Sequence, residues 1–413
     1  MQGPLAGIRI LDFTRATAGP YGSQLLADLG AEVIKIEPPD SPARKLLGVL
    51  DRNVGDKYTF NINGIGTHFL ALNRSKKSIA LNMRTEKGRT IFQELACKSD
   101  VVFDNYRPGV TRKMGADYET LSKLNPRIIT CSISAFGESG PIANRGGYDP
   151  IGQAMGGGMS VTTAPDGEPI RPGIPIADLG GGLMAVIGIL AAIHARDVTG
   201  KGQRVSTSIL GGQISFLIYM VTDYFASGES WGPSGVGKRM DACRHWYKCK
   251  DGEYLITAPR FTGTSSGDWF INLSKAIGRE DLPADPRFNT DKARSQNKAE
   301  LLSVLEETYL TKTVEEWEKI LAEADVPCSR VNTIEKACNH PQVVHQGMVR
   351  TYPHPTKGDF KASANPIKVG NGEREATAPP LLGQHTAEVL SDLIGCSREQ
   401  LGALKQEGVI DYP

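Results

Sequence analysis

Ile8-Arg-Ile-Leu-Asp-Phe-Thr-Arg-Ala-Thr-Ala-Gly-Pro-Tyr-Gly-Ser-Gln-Leu-Leu-Ala-Asp-Leu-Gly-Ala-Glu-Val-Ile-Lys-Ile-Glu37 spells out a β-α-β unit. Ile8–Phe13 is a short β-rich run, Tyr21–Leu29 has helical spacing and stops at Gly30, and Ala31–Glu37 is a second strand. Further strands are expected at Ser78–Met83, Val101–Asn105 and Arg127–Phe136, and a helix after Arg84 places Ile91, Phe92 and Leu95 on one face. Strands alternating with helices imply a mostly parallel sheet, so the fold class is α/β, a doubly wound, Rossmann-like large domain.

The pattern changes further along the chain. Gly228 to Gly237 is rich in Gly, Ser and Pro; Trp246–Lys250 and Glu253–Ala258 then flank the turn Asp251-Gly252, a hairpin signal. Helices are expected at Trp269–Ile277, Ala299–Tyr309 and Val314–Ala324, and again at Ala387–Ile394 and Arg398–Gln406. We divide the chain into a large α/β domain over 1–227, a smaller α+β domain over 228–327, and a return segment over 328–413 that completes the large domain.

The 413 residues carry 47 Lys+Arg against 46 Asp+Glu, so no basic field attracts nucleic acid. Met1-Gln-Gly-Pro-Leu-Ala-Gly7 lacks the pattern of a signal peptide. The longest uncharged stretches, after Asp178 and after Arg204, fall short of the ~20 residues of a membrane span. Seven cysteines without paired spacing read as reduced thiols of a cytoplasmic protein, and Cys243-x-His245-x3-Cys249 has no second Cys/His pair to complete a zinc site. No metal is expected.

Several chemistries fail on their own motifs. The first β-α turn, Thr14-Arg-Ala-Thr-Ala-Gly-Pro20, offers backbone amides to a phosphate but lacks G-x-G-x-x-G, and Glu37 without those glycines is a weak ribose-binding signal, so neither nicotinamide nor flavin is expected. There is no Walker loop and no G-x-S-x-G elbow, and His68, His194 and His385 read as packing or surface residues. Two polar clusters suit a nucleotide with several phosphates: Asn73-Arg-Ser-Lys-Lys-Ser78 with Ile79-Ala-Leu-Asn-Met-Arg84, and Asn105-Tyr-Arg-Pro-Gly109 with Arg112 and Lys113. For Lys76 and Lys77 a solvated charge run is the competing reading.

Asp178 ends the rigid segment Arg171-Pro-Gly-Ile-Pro-Ile-Ala-Asp178 and precedes a stretch, Leu179 to Ile193, with no charged side chain. It is the natural N-cap of a buried helix. A carboxylate ionised at neutral pH also attacks activated acyl groups without a neighbouring base, so cap and nucleophile both stand as readings.

The assembled motifs resemble class III CoA-transferases, the family of formyl-CoA transferase and carnitine CoA-transferase. They are Leu11-Asp-Phe-Thr-Arg15, Leu26-Ala-Asp-Leu-Gly-Ala-Glu-Val-Ile-Lys-Ile-Glu37, Leu72-Asn-Arg-Ser-Lys-Lys-Ser78, Asn105-Tyr-Arg-Pro-Gly109, Gly147-Tyr-Asp149, Arg171-Pro-Gly173, Ala177-Asp178, Asp285-Pro-Arg-Phe288 and Pro380-Leu-Leu-Gly-Gln-His385. The resemblance implies that Asp178 attacks a donor thioester and passes through a mixed anhydride and an aspartyl-CoA thioester, kept ionised by its helix N-terminus. It places coenzyme A, as acyl-CoA substrate and product, on Thr17 and Ala18, Leu81, Asn82, Met83 and Arg84, Asn105, Tyr106 and Arg107, Lys113, and Gly146, Tyr148 and Asp149. It further implies an interlocked homodimer, with a hetero-oligomer as the variant, and a glycine-rich loop over the intermediate, here Gly232–Gly237 with Gly235 and Gly237, or Thr262–Gly267.

Relative to formyl-CoA transferase, Thr17 replaces a glutamine, Pro38 an arginine and Gly146 a lysine; the first change argues against formyl-CoA and oxalate, and Arg15, Arg44 or Arg74 are left to restore phosphate contacts. The expected function is CoA transfer from an acyl-CoA, succinyl-CoA or another dicarboxyl-CoA, to a small free carboxylic acid. A 2-methylacyl-CoA racemase of the same superfamily is the alternative, disfavoured because Tyr148 replaces the histidine base. A partner subunit of a hetero-oligomeric transferase is a third reading, and Asp178 marks it as an active one.

Overall fold

The computed structural model describes residues 3–39, 52, 60–62, 65–164, 167–231, 242–259, 268–356, 358–370 and 375–413. The chain forms two compact units, one of Met1–Ala164, Glu168–Glu229 and His345–Pro413, the other of Pro165–Gly167 and Ser230–Val344.

The first unit is built on a seven-stranded sheet. Its strands are β1 (Arg9–Asp12), β2 (Glu32–Glu37), β3 (Lys76–Leu81), β4 (Val101–Asp104), β5 (Ile129–Ser134), β6 (Arg204–Ser208) and β7 (Ile410–Asp411). Their spatial order is β7-β3-β2-β1-β4-β5-β6; β1 to β6 are parallel, and only β7 runs antiparallel, with Ile410 opposite Leu81. Residues alternate between the two faces, so each strand supplies two cores. Ile10, Val33, Phe103 and Ile129 pack with helix Ala18–Asp28 and helix Ile176–Thr199, while Leu11, Ile34, Ile79 and Val102 pack with helix Glu86–Cys97 and the C-terminal helices Thr386–Ile394 and Arg398–Gln406. Successive strands are added to one side of β1 and then to the other. The loops after β1 and β4 therefore diverge and open a crevice at the carboxyl ends of the strands.

β3 begins at Lys76, earlier than the expected Ser78, because the lysine is an interior residue. Its Nζ donates to Asp12 Oδ2 (3.1 Å), Ser23 Oγ (2.8 Å) and Asn73 Oδ1 (2.9 Å), and both side chains of the ion pair are fully inaccessible. Lys35, equally buried, donates to the Thr14 carbonyl at 2.7 Å. Neither β6, a largely polar edge strand, nor β7, which is two residues long, was expected from apolar patterning.

The second unit has an antiparallel sheet of Trp246–Lys248, Tyr254–Thr257 and Cys328–Arg330 over a core in which Tyr247 stacks on Tyr309 at 4.2 Å and Trp317 Nε1 donates to the Tyr309 carbonyl. It continues past the expected limit of 327 because Cys328–Arg330 completes this sheet and helix Ile334–Cys338 follows. Cys243 and Cys249 are buried in that core and His245 stacks on Trp246 at 4.3 Å.

Candidate active site

The helix bearing Asp178 starts earlier than expected. It runs from Ile176 to Thr199 behind the cap residue Pro175, so Asp178 is the third residue of its first turn and not its N-cap. Asp149, the first residue of helix Asp149–Met155, does the capping: its Oδ1 accepts from the backbone N–H of Ala177 (3.1 Å) and Asp178 (3.4 Å), and its Oδ2 accepts from Gln153 Nε2 (2.6 Å). The helix terminus is thereby satisfied by another acid, so the Asp178 side chain is not needed to cap its own helix. Its Oδ1 is buried with no hydrogen-bond partner.

Burial, and then the charge of Asp149, push the Asp178 pKa up to about 7, while the nearby Thr17 hydroxyl and the Asp149 backbone N–H work against them. The expectation that the helix N-terminus keeps this carboxylate ionised is corrected: in a site 6% exposed, desolvation outweighs the helix dipole. At neutral pH the residue is poised between a neutral and an ionised form.

Glycines bring the other groups to the carboxylate. A Cβ on Gly182 would stand 2.4 Å from the Ala18 carbonyl oxygen, and one on Gly212 would stand 2.5 Å from the Gly181 amide nitrogen. Only bare backbone lets helix Ala18–Asp28 and helix Ile209–Ser215 approach the first turns of helix Ile176–Thr199 this closely. In the turn leading to Thr17, Ala16 holds φ at 57°, an unusual backbone state for a residue with a Cβ. Thr17 Oγ1 lies 3.1 Å from Nε2 of His68, in the first turn of helix Thr67–Leu72. His68 thus belongs to the site, although its sequence context carried no signal; the contact joins residues 51 apart.

Asp178 lines a cavity of about 520 Å³ at the carboxyl ends of β1, β4 and β5. Of the expected CoA-binding residues, Thr17, Ala18, Asn105, Tyr106, Arg107, Gly146 and Tyr148 line the same cavity, and Asp149 supports it from behind. Asn105 clamps the two loops together, accepting from the Arg15 amide (2.8 Å) and donating to the Arg15 carbonyl (2.7 Å). The Arg15 guanidinium sits 5.2 Å from the centre of the Tyr106 ring. A Cβ on Gly146 would stand 2.6 Å from Arg107 Nη2, so this glycine makes room for Arg107 at the cavity wall. Arg145, which sequence reading passed over, is a further cation there.

Leu81, Asn82, Met83, Arg84 and Lys113 are not among the residues lining this cavity. Leu81 is a core residue of β3, the Asn82 side chain donates to the Gly408 carbonyl, and Arg84 and Lys113 are exposed. Met83 does pack on the same apolar cluster as Tyr106. The cluster around Asn73 is corrected more sharply. Lys76 is taken up by Asp12, and Arg74 by Asp28 at 2.7 Å with both side chains buried, so neither is a phosphate ligand. Of the cations named as replacements, Arg15 lines the cavity, and Arg44 lies outside the described residues, as do Gly235 and Gly237 and all of Thr262–Gly267. Glu37 is engaged by Arg52 (2.7 and 2.9 Å) and Ser78 (2.7 Å).

Comparison with known proteins follows the same outline. Residues 5–386 match the family model of CoA-transferase family III. The succinyl-CoA:glutarate CoA-transferase of Mus musculus is 34% identical over 409 residues, covering 99% of this chain and 90% of that protein. The formyl-CoA:oxalate CoA-transferase of Streptomyces avermitilis is 34% identical over 432 residues, covering 99% and 100%. Among solved structures, a CaiB/BaiF family protein from Brucella suis superposes with a TM-score of 0.80 at 33% identity, over 95% of this chain and 100% of that one. The chain belongs to CoA-transferase family III and is an acyl-CoA:carboxylate CoA-transferase.

Proposed function

We propose that Asp178 is the nucleophile of this transferase, with succinyl-CoA or another dicarboxyl-CoA as donor and a small free carboxylic acid as acceptor. The observation that carries the reading is a buried carboxylate whose Oδ1 has no hydrogen-bond partner, on the wall of a cavity formed by strand-end loops. An oxygen without a donor keeps its lone pairs for attack, and desolvation raises its reactivity.

Asp178 attacks the donor carbonyl, CoA thiolate leaves, and a mixed anhydride forms. The thiolate then attacks the aspartyl carbonyl and releases the donor acid, leaving an aspartyl-CoA thioester. The acceptor carboxylate attacks that thioester to give a second anhydride and free thiolate. Attack of the thiolate on the acceptor's carbonyl yields the new acyl-CoA and restores Asp178. Each acylated state of Asp178 is neutral, the form that the buried site favours. Arg15, Arg107 and Arg145 supply positive charge for the phosphates of CoA and the free carboxylate of a dicarboxyl substrate. Relatives named for glutarate and for oxalate support an acid of this size.

We read the active form as a cytoplasmic homodimer. Seven unpaired cysteines support the compartment, and exposed Ile187, Ile214, Ile218, Tyr219 and Phe225 on neighbouring stretches of the first unit support a covered surface. Helix Ile176–Thr199 is long and apolar enough to cross a bilayer by length and composition, unlike the shorter stretch expected, but more than half of its most apolar window is buried inside the protein.

The test is to incubate the protein with succinyl-CoA, trap with hydroxylamine and map the adduct by mass spectrometry. An aspartyl hydroxamate at Asp178 is expected. No adduct at Asp178 with several acyl-CoAs, together with an active Asp178→Ala variant, refutes the mechanism.

A further inference from the structure

We infer that Lys35 is a positioning residue for the transfer reaction: its ammonium group holds the peptide between Thr14 and Arg15, so that Ala16 keeps a left-handed backbone and Arg15, Thr17 and Ala18 face the substrate cavity. The inference rests on the reading of that cavity as the acyl-CoA site. Lys35 stands opposite Asp12 of β1 and Ser78 of β3 and is 1% exposed. An ammonium group in the interior is costly unless it is hydrogen-bonded, and Lys35 Nζ donates to the Thr14 carbonyl at 2.7 Å. The N–H of the same peptide unit, on Arg15, donates to Asn105 Oδ1 at 2.8 Å. In a trans peptide these two groups point in opposite directions, so the unit is pinned at both edges, by a side chain from β2 and by one from the loop after β4.

The flanking groups are fixed in the same way. The Thr14 N–H and hydroxyl donate to Asp12 Oδ1 at 2.8 and 2.5 Å, and the Arg15 carbonyl accepts from Asn105 Nδ2 at 2.7 Å. Every backbone polar group of Thr14 and Arg15 therefore meets a side chain. The next residue, Ala16, has φ of 57°. A residue with a Cβ stays in that state only where its surroundings over-determine it, and the pinned peptide before it does so. Gly19 closes the far side of the turn: a Cβ there would stand 2.3 Å from Thr14 Cβ, so the start of helix Ala18–Asp28 rests on the residue that Lys35 holds. Were Ala16 to relax to negative φ, the chain would leave Arg15 in another direction, displacing Arg15, Thr17 and Ala18 from the cavity that they line with Asp178. When the Lys35 charge is removed, Asp12 keeps Lys76 and Glu37 keeps Arg52, so the effect falls on the turn.

The test uses the full chain and the exchange of CoA between succinyl-CoA and isotopically labelled succinate, which makes one acid both donor and acceptor. Lys35→Met keeps an unbranched side chain and loses the donor. It is expected to raise KM for succinyl-CoA roughly tenfold or more, with a smaller change in kcat. In an Ala16→Gly background the same replacement is expected to raise KM roughly threefold or less, because glycine takes positive φ without a tether. A lysine that served the core alone would lower the folded fraction, and with it kcat, equally in both backgrounds and leave KM in place. The inference is overturned if KM does not rise in Lys35→Met, or if it rises equally in both backgrounds. Should Lys35→Met fail to fold, Lys35→Gln, whose amide falls short of the Thr14 carbonyl, is carried through the same cycle; failure of both to fold, in the Ala16→Gly background as well, also overturns the inference. Exchange that survives Asp178→Ala, or that is missing in the wild type, is a different result and overturns the proposed function instead.

Discussion

Replacing Asp178 by asparagine should abolish transfer and also stabilise the protein, with a pH dependence of known sign. In the folded chain burial and Asp149 hold this carboxyl protonated up to about pH 7, whereas an unfolded aspartate titrates near 3.8. Across that interval the folded state binds more protons than the unfolded one, so the contribution of Asp178 to stability falls as pH rises. The difference of roughly three units, at about 1.4 kcal/mol each, amounts to about 4 kcal/mol above pH 7, of which roughly 2–3 kcal/mol develops between pH 5 and pH 8. The asparagine side chain has no proton to lose and keeps a similar volume, so the variant should escape this loss. The assay is urea unfolding of wild type and Asp178→Asn at several pH values over that range. The excess stability of the variant should grow from pH 5 to pH 8. Parallel stability profiles would show that Asp178 titrates as an ordinary surface acid and would remove the electrostatic basis of the site.

Lys76→Met distinguishes an interior ion pair from a phosphate ligand. It strands the fully buried Asp12, whose carboxyl Lys76 and Lys35 hold below the usual range against the upward push of burial, so a loss of about 3–5 kcal/mol in unfolding free energy is expected; an unchanged stability with a raised KM for acyl-CoA would contradict this. Gly182→Ala sets a methyl against the Ala18 carbonyl oxygen, and about 1–3 kcal/mol of stability should be lost together with transferase activity, because the turn carrying Thr17 must move. A variant as stable and active as wild type would show that the two helices part without cost.

Local sequence marked the apolar strands and the helices between them, but not the polar edge strand Arg204–Ser208 or the two-residue strand Ile410–Asp411. Apolar runs broken by Gly30 and Gly252 marked strands, the first helix and the hairpin, because burial periodicity and turn chemistry act over a few residues. It also singled out Asp178 and the loop residues Thr17, Asn105 and Arg107, since strand ends in a parallel sheet are where ligands gather. Local sequence could not show that Lys76 and Arg74, written as a charge run, are interior: their partners Asp12 and Asp28 are 64 and 46 residues away. Nor could it show that Asp149 caps the helix of Asp178, or that His68 reaches Thr17. Those contacts exist only once Gly182 and Gly212 let helices close to backbone contact, and that closeness converts an ordinary ionised acid into one poised near pH 7. Strand-end motifs point to Asp178, Thr17, Asn105 and Arg107, whereas the inclusion of Arg145, the exclusion of Arg84 and Lys113, and the protonation and partners of each group follow from the folded chain, because desolvation and hydrogen bonding depend on neighbours far along it.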